Sequence, residues 1–314
     1  MPRARLALVP LALSVLASGC TGDAPSPSPS LQLAAQVATA DLYAGPDQHV
    51  EVGIVGSTDQ GVRLVSYGTI QVAFSYLGDG SASPEPGPTV TAAYIPAFGT
   101  DDSGTAPALT TPATARGVYG ADVTFDRAGV WEATIDTTIE GAGSQRLTAA
   151  FNVAAQPAYP APGDRATRSQ NLTADSKGVP LTAVDSTAVN GTLPDPELHR
   201  WTVADAIAEH RPILLIVATP AFCQSQFCGP ETDAVASLAE RYGDRAVFIH
   251  IEVWKEYPNV MNQAAADWIF RNGDATEPWT FLIGADGRVV DRWMPLFDVD
   301  QVGAALEQLP PMAP

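Results

Sequence analysis

Two cysteines, Cys223 and Cys228, lie between a short apolar run and a stretch with helical character. The run Ile213-Leu-Leu-Ile-Val-Ala218 has the continuous hydrophobicity of a strand that is covered on both faces. Residues 230–242 follow the second cysteine and predict a helix, with Pro230 suited to the first helical position. Because unpaired amides and the helix dipole stabilise a thiolate at a helix N-terminus, the two cysteines form a candidate redox site.

Composition limits what the rest of the chain can be. A length of 314 residues is long for one core and predicts two domains with connecting segments. The formal net charge of −18 argues against binding nucleic acid, or an anionic membrane through charge, because both require a basic surface. Three cysteines are too few for a scaffold held together by disulfides, so each can be given its own role.

Residues 1–20 predict a signal peptide, because Arg3 and Arg5 precede a short apolar stretch and small residues. The ending Leu16-Ala-Ser-Gly-Cys20 resembles a bacterial lipobox, although Ala17 stands where that motif usually has leucine. The resemblance implies lipidation at Cys20 and a location at the extracytoplasmic face of the cell membrane. The Pro/Ser-rich residues 21–32 fit a flexible tether. The alternative is a plain secreted protein with an incidental cysteine.

Residues 33–154 predict an all-β domain. Apolar residues alternate with polar ones in five stretches, namely 50–54, 70–76, 119–125, 131–135 and 147–153. Residues 123–133 resemble a strand pair of bacterial immunoglobulin-like modules, which implies an immunoglobulin-like sandwich. Residues 81–88 and 98–113, rich in Pro, Gly, Ser and Thr, predict long loops. This region has no chemical motif, and His49 is predicted to be an ordinary surface residue.

Residues 155–195 predict a linker, and residues 196–314 a second domain with a different period. Helices are predicted at 202–210, 230–242, 262–272 and 299–309, with strands at 213–218, 246–254, 280–284 and 289–293. The order αβαβαββα favours a mixed sheet with helices on both faces.

Across residues 198–309 the second domain resembles the thioredoxin superfamily. The matching residues are the strand and cysteine loop, then Cys228-Gly-Pro230, and Glu277-Pro278-Trp279-Thr280 before the final hairpin. The resemblance implies an α/β thioredoxin-like fold, and a cis peptide bond at Pro278 beside the cysteines. It departs from the family at Glu231, which occupies the place of the second thioredoxin cysteine. The partner of Cys228 is instead Cys223, five residues upstream.

Pairing of Cys223 with Cys228 depends on where the helix begins. Residues five apart in a regular helix have Cα atoms about 8 Å apart, whereas a disulfide needs them within about 7 Å. If Cys223 lies in the loop before the helix, as Pro230 implies, the disulfide can close. If the helix starts at Gln224, closure requires local unwinding. Oxidising conditions outside the cytoplasm favour pairing.

The resemblance leaves the roles of the cysteines open. In thioredoxin-like chemistry Cys228 would attack. The four-residue gap also looks like that of peroxiredoxin Q proteins, and then Cys223 would attack and Cys228 resolve. Glu252 and His250, on the next predicted strand, are candidates for proton transfer.

Two tryptophans are candidates for walls of the site, namely Trp254 and Trp279. Core packing is the alternative role for each of them.

The leading functional hypothesis is a membrane-anchored, extracytoplasmic thiol–disulfide oxidoreductase that acts on protein thiols or a redox donor. Three alternatives stay open: a non-catalytic binding lipoprotein with a structural disulfide, a peroxiredoxin-Q-like peroxidase, and a Sco-like copper carrier using Cys223, Cys228 and His250. Whether the chain is an enzyme is therefore undecided. Neither a cofactor nor a resident metal site is predicted from the sequence.

Overall fold

The computed structural model describes residues 31–78 and 83–312. The predicted signal peptide and the predicted lipidation site at Cys20 lie outside the described residues. From Leu31 onward the chain forms one compact unit. Within the described residues, no helix is both long and apolar enough to cross a bilayer.

The N-terminal part is a curled antiparallel β-sheet, which confirms the predicted β region. Its strands pair in the order β6-β3-β2-β7-β5-β4-β8-β9, with β1 on β2. Strand β1 also lies against β9, so the sheet bends back on itself. The strands in the described residues are β1 (Gln32–Val37), β2 (Gly45–Thr58), β3 (Gly61–Ser66), β4 (Thr69–Gly78), β5 (Glu85–Pro96), β6 (Ala108–Thr110), β7 (Gly117–Phe125), β8 (Gly129–Ile139) and β9 (Gly143–Val153).

The alternating residues of these strands fill the interior of the curl. Phe125 is at its centre, with the rings of Phe74, Trp131 and Phe151 at centroid distances of 5.6, 5.0 and 5.7 Å. Aromatic pairs at such distances add to the free energy of burial.

The loops predicted for 81–88 and 98–113 are shorter than expected. β5 begins at Glu85, opposite Tyr76 of β4, and β6 lies inside the second predicted loop. Ladder hydrogen bonds with neighbouring strands order residues whose composition alone favours a loop.

Residues 155–195 have little regular structure, but they pack closely on the C-terminal part. Tyr159 stacks on Trp279 with ring centroids 4.8 Å apart. The Trp268 indole donates to Ser169 Oγ at 2.9 Å, and Asn171 Oδ1 accepts from the backbone N–H of Val203 at 2.8 Å. A short 3-10 helix spans Leu181–Ala183. The segment predicted as a linker is thus an ordered cover, and its boundaries stay predictions.

The C-terminal part alternates helices and strands. Its elements are a 3-10 turn (Pro196–His199), α1 (Val203–Ala208), β10 (Ile213–Ala218), α2 (Cys228–Tyr242), β11 (Val247–Glu252), β12 (Trp254–Glu256), β13 (Val260–Met261), α3 (Gln263–Ile269), β14 (Phe270–Arg271), β15 (Asp274–Ala275), β16 (Trp279–Ile283), β17 (Val289–Trp293) and α4 (Val299–Glu307).

Four of these strands form a mixed sheet in the order β11-β10-β16-β17. β10 is parallel to β11 and antiparallel to β16, which is antiparallel to β17. Successive side chains of β10 enter different cores, because a strand alternates its faces. Leu215 packs in a core with Trp268 of α3, and Ile216 in a core with Leu238 of α2. Both faces of the sheet are therefore covered, as the apolar run predicted.

Several predicted boundaries in this part were wrong by two or more residues, including the ends of the helices predicted to 210 and 309, which lie at Ala208 and Glu307. The helix predicted from 230 begins at Cys228, and the strand predicted to 254 ends at Glu252. The helix predicted to 272 ends at Ile269, because Asn272 and Gly273 have φ of 55° and 90° and turn β14 back onto β15. An Asn-Gly pair is a strong hairpin signal, and here it outweighs the helical pattern.

The two parts meet at a buried ion pair. Arg292 of β17 donates to Asp41 Oδ2 at 2.8 Å and to the Asp41 carbonyl at 3.0 Å. The same guanidinium donates to the carbonyls of Tyr159 and Pro160, each at 3.2 Å. Asp41 belongs to the connection between β1 and β2. One arginine thus joins the N-terminal sheet, the cover segment and the C-terminal sheet.

Candidate redox site

Cys223 and Cys228 form a disulfide across the loop that joins β10 to α2, with Cα atoms 5.9 Å apart. Cys228 is the first residue of α2 and is 0% exposed. Cys223 lies in the loop before the helix and is only half-buried. This is the arrangement in which the sequence predicted that the pair could close without unwinding a helix.

The N-terminus of α2 faces Sγ of Cys223, the more exposed of the two cysteines. The backbone N–H of Cys228 donates to Cys223 Sγ at 3.3 Å, and Ser225 Oγ lies 3.2 Å from the same sulfur. Donors of this kind favour a thiolate over a thiol. The site therefore has an accessible sulfur that is held by polar groups and an inner sulfur that is fully enclosed.

Pro278 immediately precedes the neighbouring strand β16 and is buried. The peptide bond between Glu277 and Pro278 is cis, which confirms that prediction. Trp279 pairs with Val217, so Pro278 follows in register beside Ala218, where β10 ends and the cysteine loop begins.

Glu277 is a functional candidate that sequence reasoning missed. Burial raises the pKa of its carboxyl to about 8, although the backbone N–H of Thr219 and the nearby His250 act to lower it. Its Oε2 is buried with no hydrogen-bond partner among the described residues. A carboxyl that titrates near neutral pH at the entry to the cysteine loop is suited to proton transfer. The only sequence signal was its place directly before the expected cis proline.

Glu252 is engaged by the backbone. Its Oε2 accepts from the N–H of Ser186 at 2.8 Å, and its Oε1 accepts from the N–H of Trp254 at 3.0 Å. Ser186 Oγ in turn accepts from the N–H of Ala221 in the cysteine loop at 3.1 Å. Glu252 therefore anchors the cover segment to the loop. The predicted role of Glu252 in proton transfer stays a prediction.

His250 is 0% exposed, and both of its ring nitrogens face partners other than sulfur. Nε2 lies 3.1 Å from the carbonyl of Ala218, and Nδ1 lies 3.3 Å from Asp185 Oδ2. The predicted roles of His250 in proton transfer or copper binding stay predictions.

Asp185 also lies 3.3 Å from His199 Nε2, so it brings two buried histidines together. Burial opposes the ionisation of Asp185, but contacts with His199, His250 and Thr187 outweigh it and hold its pKa well below the usual range. Burial lowers the pKa of His199, and the contact with Asp185 only partly offsets this. Sequence reasoning did not single out Asp185 or His199, because neither belongs to a motif.

The two candidate wall tryptophans differ in position. Trp279 is 2% exposed and packs in the core. Trp254 contacts the ring of Tyr257 edge-on, and Tyr257 stacks on Phe222 with centroids 4.1 Å apart. Phe222 immediately precedes Cys223, and Phe222 and Tyr257 are 39% and 46% exposed. Trp254 therefore supports an exposed aromatic pair beside the accessible sulfur.

A cleft of about 470 Å³ lies on the other side of the cysteine loop. The loop residues Gln226 and Phe227 line it together with Val62, Leu64 and Arg116 of the N-terminal part. Arg116 Nη1 reaches Gln226 Oε1 at 3.4 Å. The N-terminal sheet therefore contributes a largely apolar surface beside the disulfide.

Glu231, which the predicted thioredoxin resemblance places where a second cysteine would be expected, lies at the contact between the two parts. It is 2% exposed, and burial, followed by the charge of Glu51 on β2, raises its pKa well above the usual value. The backbone N–H of Phe297 acts in the opposite direction. Glu231 therefore serves the contact with the N-terminal sheet and is not part of the disulfide.

Comparison of the chain with protein-family models, with curated proteins and with solved structures found no match.

Proposed function

We propose that residues 196–314 form a thioredoxin-like domain that carries out thiol–disulfide exchange through the Cys223–Cys228 pair. Three observations support it. The strand order β11-β10-β16-β17, with β16 antiparallel, is the order of the thioredoxin core. The cysteine loop joins the central strand β10 to the N-terminus of α2. A cis proline, Pro278, immediately precedes the adjacent strand β16.

The observation that carries the proposal is the difference in exposure between the two sulfurs. Cys223 is half-buried at the surface, whereas Cys228 is 0% exposed. An incoming thiolate therefore meets Cys223 first. Exposed disulfides are typically the labile or catalytic ones, whereas structural disulfides typically resist reduction.

The exchange runs in two balanced steps. A substrate thiolate attacks Cys223 Sγ, the bond between Cys223 and Cys228 breaks, and Cys228 leaves as a thiolate that takes up one proton. A second thiolate of the same substrate then attacks the substrate sulfur of the mixed disulfide, and Cys223 leaves as a thiolate. Two electrons pass to the protein, and the substrate dithiol becomes a disulfide. Glu277, which is protonated below about pH 8, is the proposed proton donor to Cys228.

The substrate class that fits is a protein dithiol. Phe222 and Tyr257 on one side of Cys223, and the cleft lined by Phe227 on the other, offer apolar contacts to a polypeptide. Exposed aromatic side chains are typical anchors at protein interfaces.

The proposed setting is the extracytoplasmic face of a bacterial membrane, with a lipid anchor at Cys20. The N-terminal sheet, proposed as an immunoglobulin-like module, would hold the exchange domain away from the bilayer. The sequence of residues 1–32 supports this placement. Replacement of Cys20 by alanine should release the protein from the membrane fraction, and retention there would contradict the anchor.

Single-cysteine variants test the exchange. In a Cys20→Ser background, Cys228→Ser leaves Cys223 free, and Cys223→Ser leaves Cys228 free. We expect the first variant to form a mixed disulfide with an aromatic disulfide reagent at least about tenfold faster, because only its thiol is accessible. Equal rates, or a faster reaction of Cys228, would contradict the proposed attack at Cys223.

The reduction potential separates exchange from a structural disulfide. Equilibration of the pair with glutathione should give a potential above about −300 mV. A lower value is typical of inert bridges, and it would favour the alternative of a binding lipoprotein with a structural disulfide.

A further inference from the structure

Asp185, His199 and His250 form a fully enclosed cluster beside the redox site, here called the Asp-His-His cluster. The three residues are 1%, 0% and 0% exposed. One potential ligand atom from each lies within 4.8 Å of the others. They come from three separate elements, since Asp185 follows the first 3-10 turn, His199 ends the second, and His250 belongs to β11.

We propose that the Asp-His-His cluster binds one divalent transition-metal ion, with Zn²⁺ as the best match. Two imidazoles and one carboxylate are ligands that zinc prefers, and three protein ligands leave one position of a tetrahedron for water. The proposal concerns residues that the exchange reaction does not use.

Two of the three distances within the cluster match the edges of a coordination polyhedron, and all three ligand atoms lie within 4.8 Å of one another. Asp185 Oδ2 lies 3.3 Å from His199 Nε2 and 3.3 Å from His250 Nδ1. A tetrahedron with metal–ligand bonds of about 2.05 Å has edges of about 3.3 Å. Charge-assisted hydrogen bonds between such groups are shorter, about 2.7–2.9 Å. Both 3.3 Å contacts are therefore longer than charge-assisted hydrogen bonds. They match the separation of two atoms that coordinate the same metal ion.

The tautomer of His250 is also compatible with metal binding at Nδ1. The carbonyl of Ala218 can only accept a hydrogen bond, so Nε2 of His250, 3.1 Å away, carries a proton. In the neutral imidazole, Nδ1 then presents its lone pair to the anionic Asp185 oxygen. Nδ1 has no hydrogen bond of acceptable geometry among the described residues. A cation between Nδ1 and Asp185, either a proton on Nδ1 or a metal ion, removes the repulsion between these two atoms, and the metal content of the protein distinguishes the two.

The groups around the cluster are those of a supported metal site. Asp185 Oδ1 accepts from the N–H of Thr187 at 2.8 Å and from its hydroxyl at 2.6 Å, which leaves Oδ2 for the metal. His250 donates its other nitrogen to a backbone carbonyl, the usual partner of a metal-bound histidine. The Asp185 carboxylate and the His250 imidazole are thus each held by a second hydrogen-bond partner, whereas Nδ1 of His199 has none among the described residues.

Metal binding would fasten the cover segment beside the cysteine loop. Asp185 is followed by Ser186, whose hydroxyl accepts from the N–H of Ala221 at 3.1 Å and lies 3.4 Å from Thr219 Oγ1. An ion that holds Asp185 against β11 therefore also fixes the hydrogen bonds that position the loop.

Metal content tests the proposal on the full-length protein. Because the cluster is enclosed, the protein is unfolded in guanidinium with a chelator and refolded with Zn²⁺ or Co²⁺. We expect one metal ion per chain by elemental analysis, a higher melting temperature than after metal-free refolding, and visible absorption of four- or five-coordinate Co²⁺. Absence of bound metal after both refolding conditions would overturn the proposal, whatever the redox activity of the protein.

Three variants locate the ion. His199→Gln should abolish stoichiometric binding, while His210→Gln, which changes an exposed histidine, should keep it. The double variant Cys223→Ser and Cys228→Ser should also keep it, and loss there would assign the metal to the cysteines instead. If His199→Gln fails to fold, the cobalt spectrum of the unaltered protein decides, because thiolate ligands would add an intense near-ultraviolet band.

Discussion

At the scale of single residues, the accessible sulfur, the enclosed sulfur and the proposed proton donor are three different residues. Cys223 faces solvent, Cys228 is enclosed, and Glu277 places an ionisable carboxyl at the start of the loop that carries both cysteines. The acid directly precedes the cis proline, in the segment that leads into β16, and is not on β10, whose six residues are all apolar and buried. In the proposed exchange, proton transfer to the enclosed sulfur would therefore depend on the segment before β16.

Replacement of Glu277 by glutamine should slow exchange with a small dithiol by about 10², the usual contribution of a positioned acid or base. The unaltered protein should show a rate, corrected for the thiolate fraction of the dithiol, that falls as pH rises through about 8, because Glu277 then loses its proton. Stopped-flow tryptophan fluorescence between pH 6 and 9 measures this. Glu256→Gln, an exposed control, should behave as the unaltered protein does. A variant with an unchanged pH profile would remove Glu277 from the reaction.

Phe222→Ala should lower kcat/KM for protein dithiols by about tenfold, as expected when an aromatic anchor is removed from an interface. Exchange with dithiothreitol should not change, because that reagent is too small to contact the aromatic pair. Val290→Ala, which shortens an exposed apolar residue on β17, serves as the control. Equal effects on protein and small dithiols would show that Phe222 shapes the loop and does not bind substrate.

At the scale of elements, the decisive feature is the start of α2. The helix begins at Cys228, so the disulfide spans a loop residue and the first helical residue. Glu231 lies one turn further on and faces Glu51 of the N-terminal sheet. The first turn of α2 therefore carries the enclosed sulfur of Cys228. The same turn carries Glu231, which contributes to the contact between the two parts.

Asp41→Asn should destabilise the protein by about 3–5 kcal/mol, because Arg292 would stay charged and buried without its partner. Urea unfolding measures the change. Asp136→Asn, which breaks an exposed pair with Arg146, should cost less than about 1 kcal/mol. Adding Arg292→Met to Asp41→Asn should recover part of the loss. No recovery would mean that Asp41 acts mainly through its bonds to the backbone of Ala158 and Tyr159.

Sequence patterns were sufficient where a local period or turn governs structure. The alternation of 131–135, the apolar run of β10 and the Asp-Gly turn before β17 each gave the correct element. The cysteine loop and cis Pro278 followed from a resemblance to a known arrangement.

The features that the sequence did not predict depend on contacts between residues that are far apart in the chain. Asp185 and His199 lie in a segment without periodicity, and they meet His250 more than 50 residues later in the chain. His49 was expected at the surface, but its ring lies between Asp122 and Asp291 and stacks on Trp293. The raised pKa values of buried acids are likewise set by packing, which no local pattern encodes.

At the scale of the whole molecule, the contact between the two parts includes ionisable groups with displaced pKa values. Burial raises the pKa of Glu51 to about 8, although the N–H of Leu296 and the charge of His49 act to lower it. Burial opposes the charge of His49, but hydrogen bonds and attraction to Asp122 and Asp291 outweigh it and raise its pKa to about 10. Both groups are protonated in the folded protein at neutral pH.

The stability of the molecule should therefore fall as the solution becomes alkaline. The contribution of Glu51 is complete below its ordinary pKa of 4.5 and is lost as pH rises through about 8. That of His49 is complete below 6.5 and is lost as pH rises through about 10. We expect Glu51→Gln to remove on the order of 3 kcal/mol of the pH dependence between pH 5 and 8. Urea unfolding at several pH values measures it, with Glu85→Gln as an exposed control. An unchanged slope in Glu51→Gln would contradict the buried, protonated state.

The cleft and the disulfide share the same short piece of chain, since Gln226 and Phe227 lie within the ring that the two sulfurs close. If the conformation of residues 223–228 differs between the oxidised and the reduced protein, the affinity of the cleft for a bound ligand differs as well. Thermodynamic reciprocity then requires occupancy of the cleft to change the electron affinity of the disulfide by the same free energy. A peptide that binds one redox form more tightly should therefore shift the measured reduction potential, so the N-terminal sheet, through its side of the cleft, has a means to tune the chemistry of a neighbouring domain.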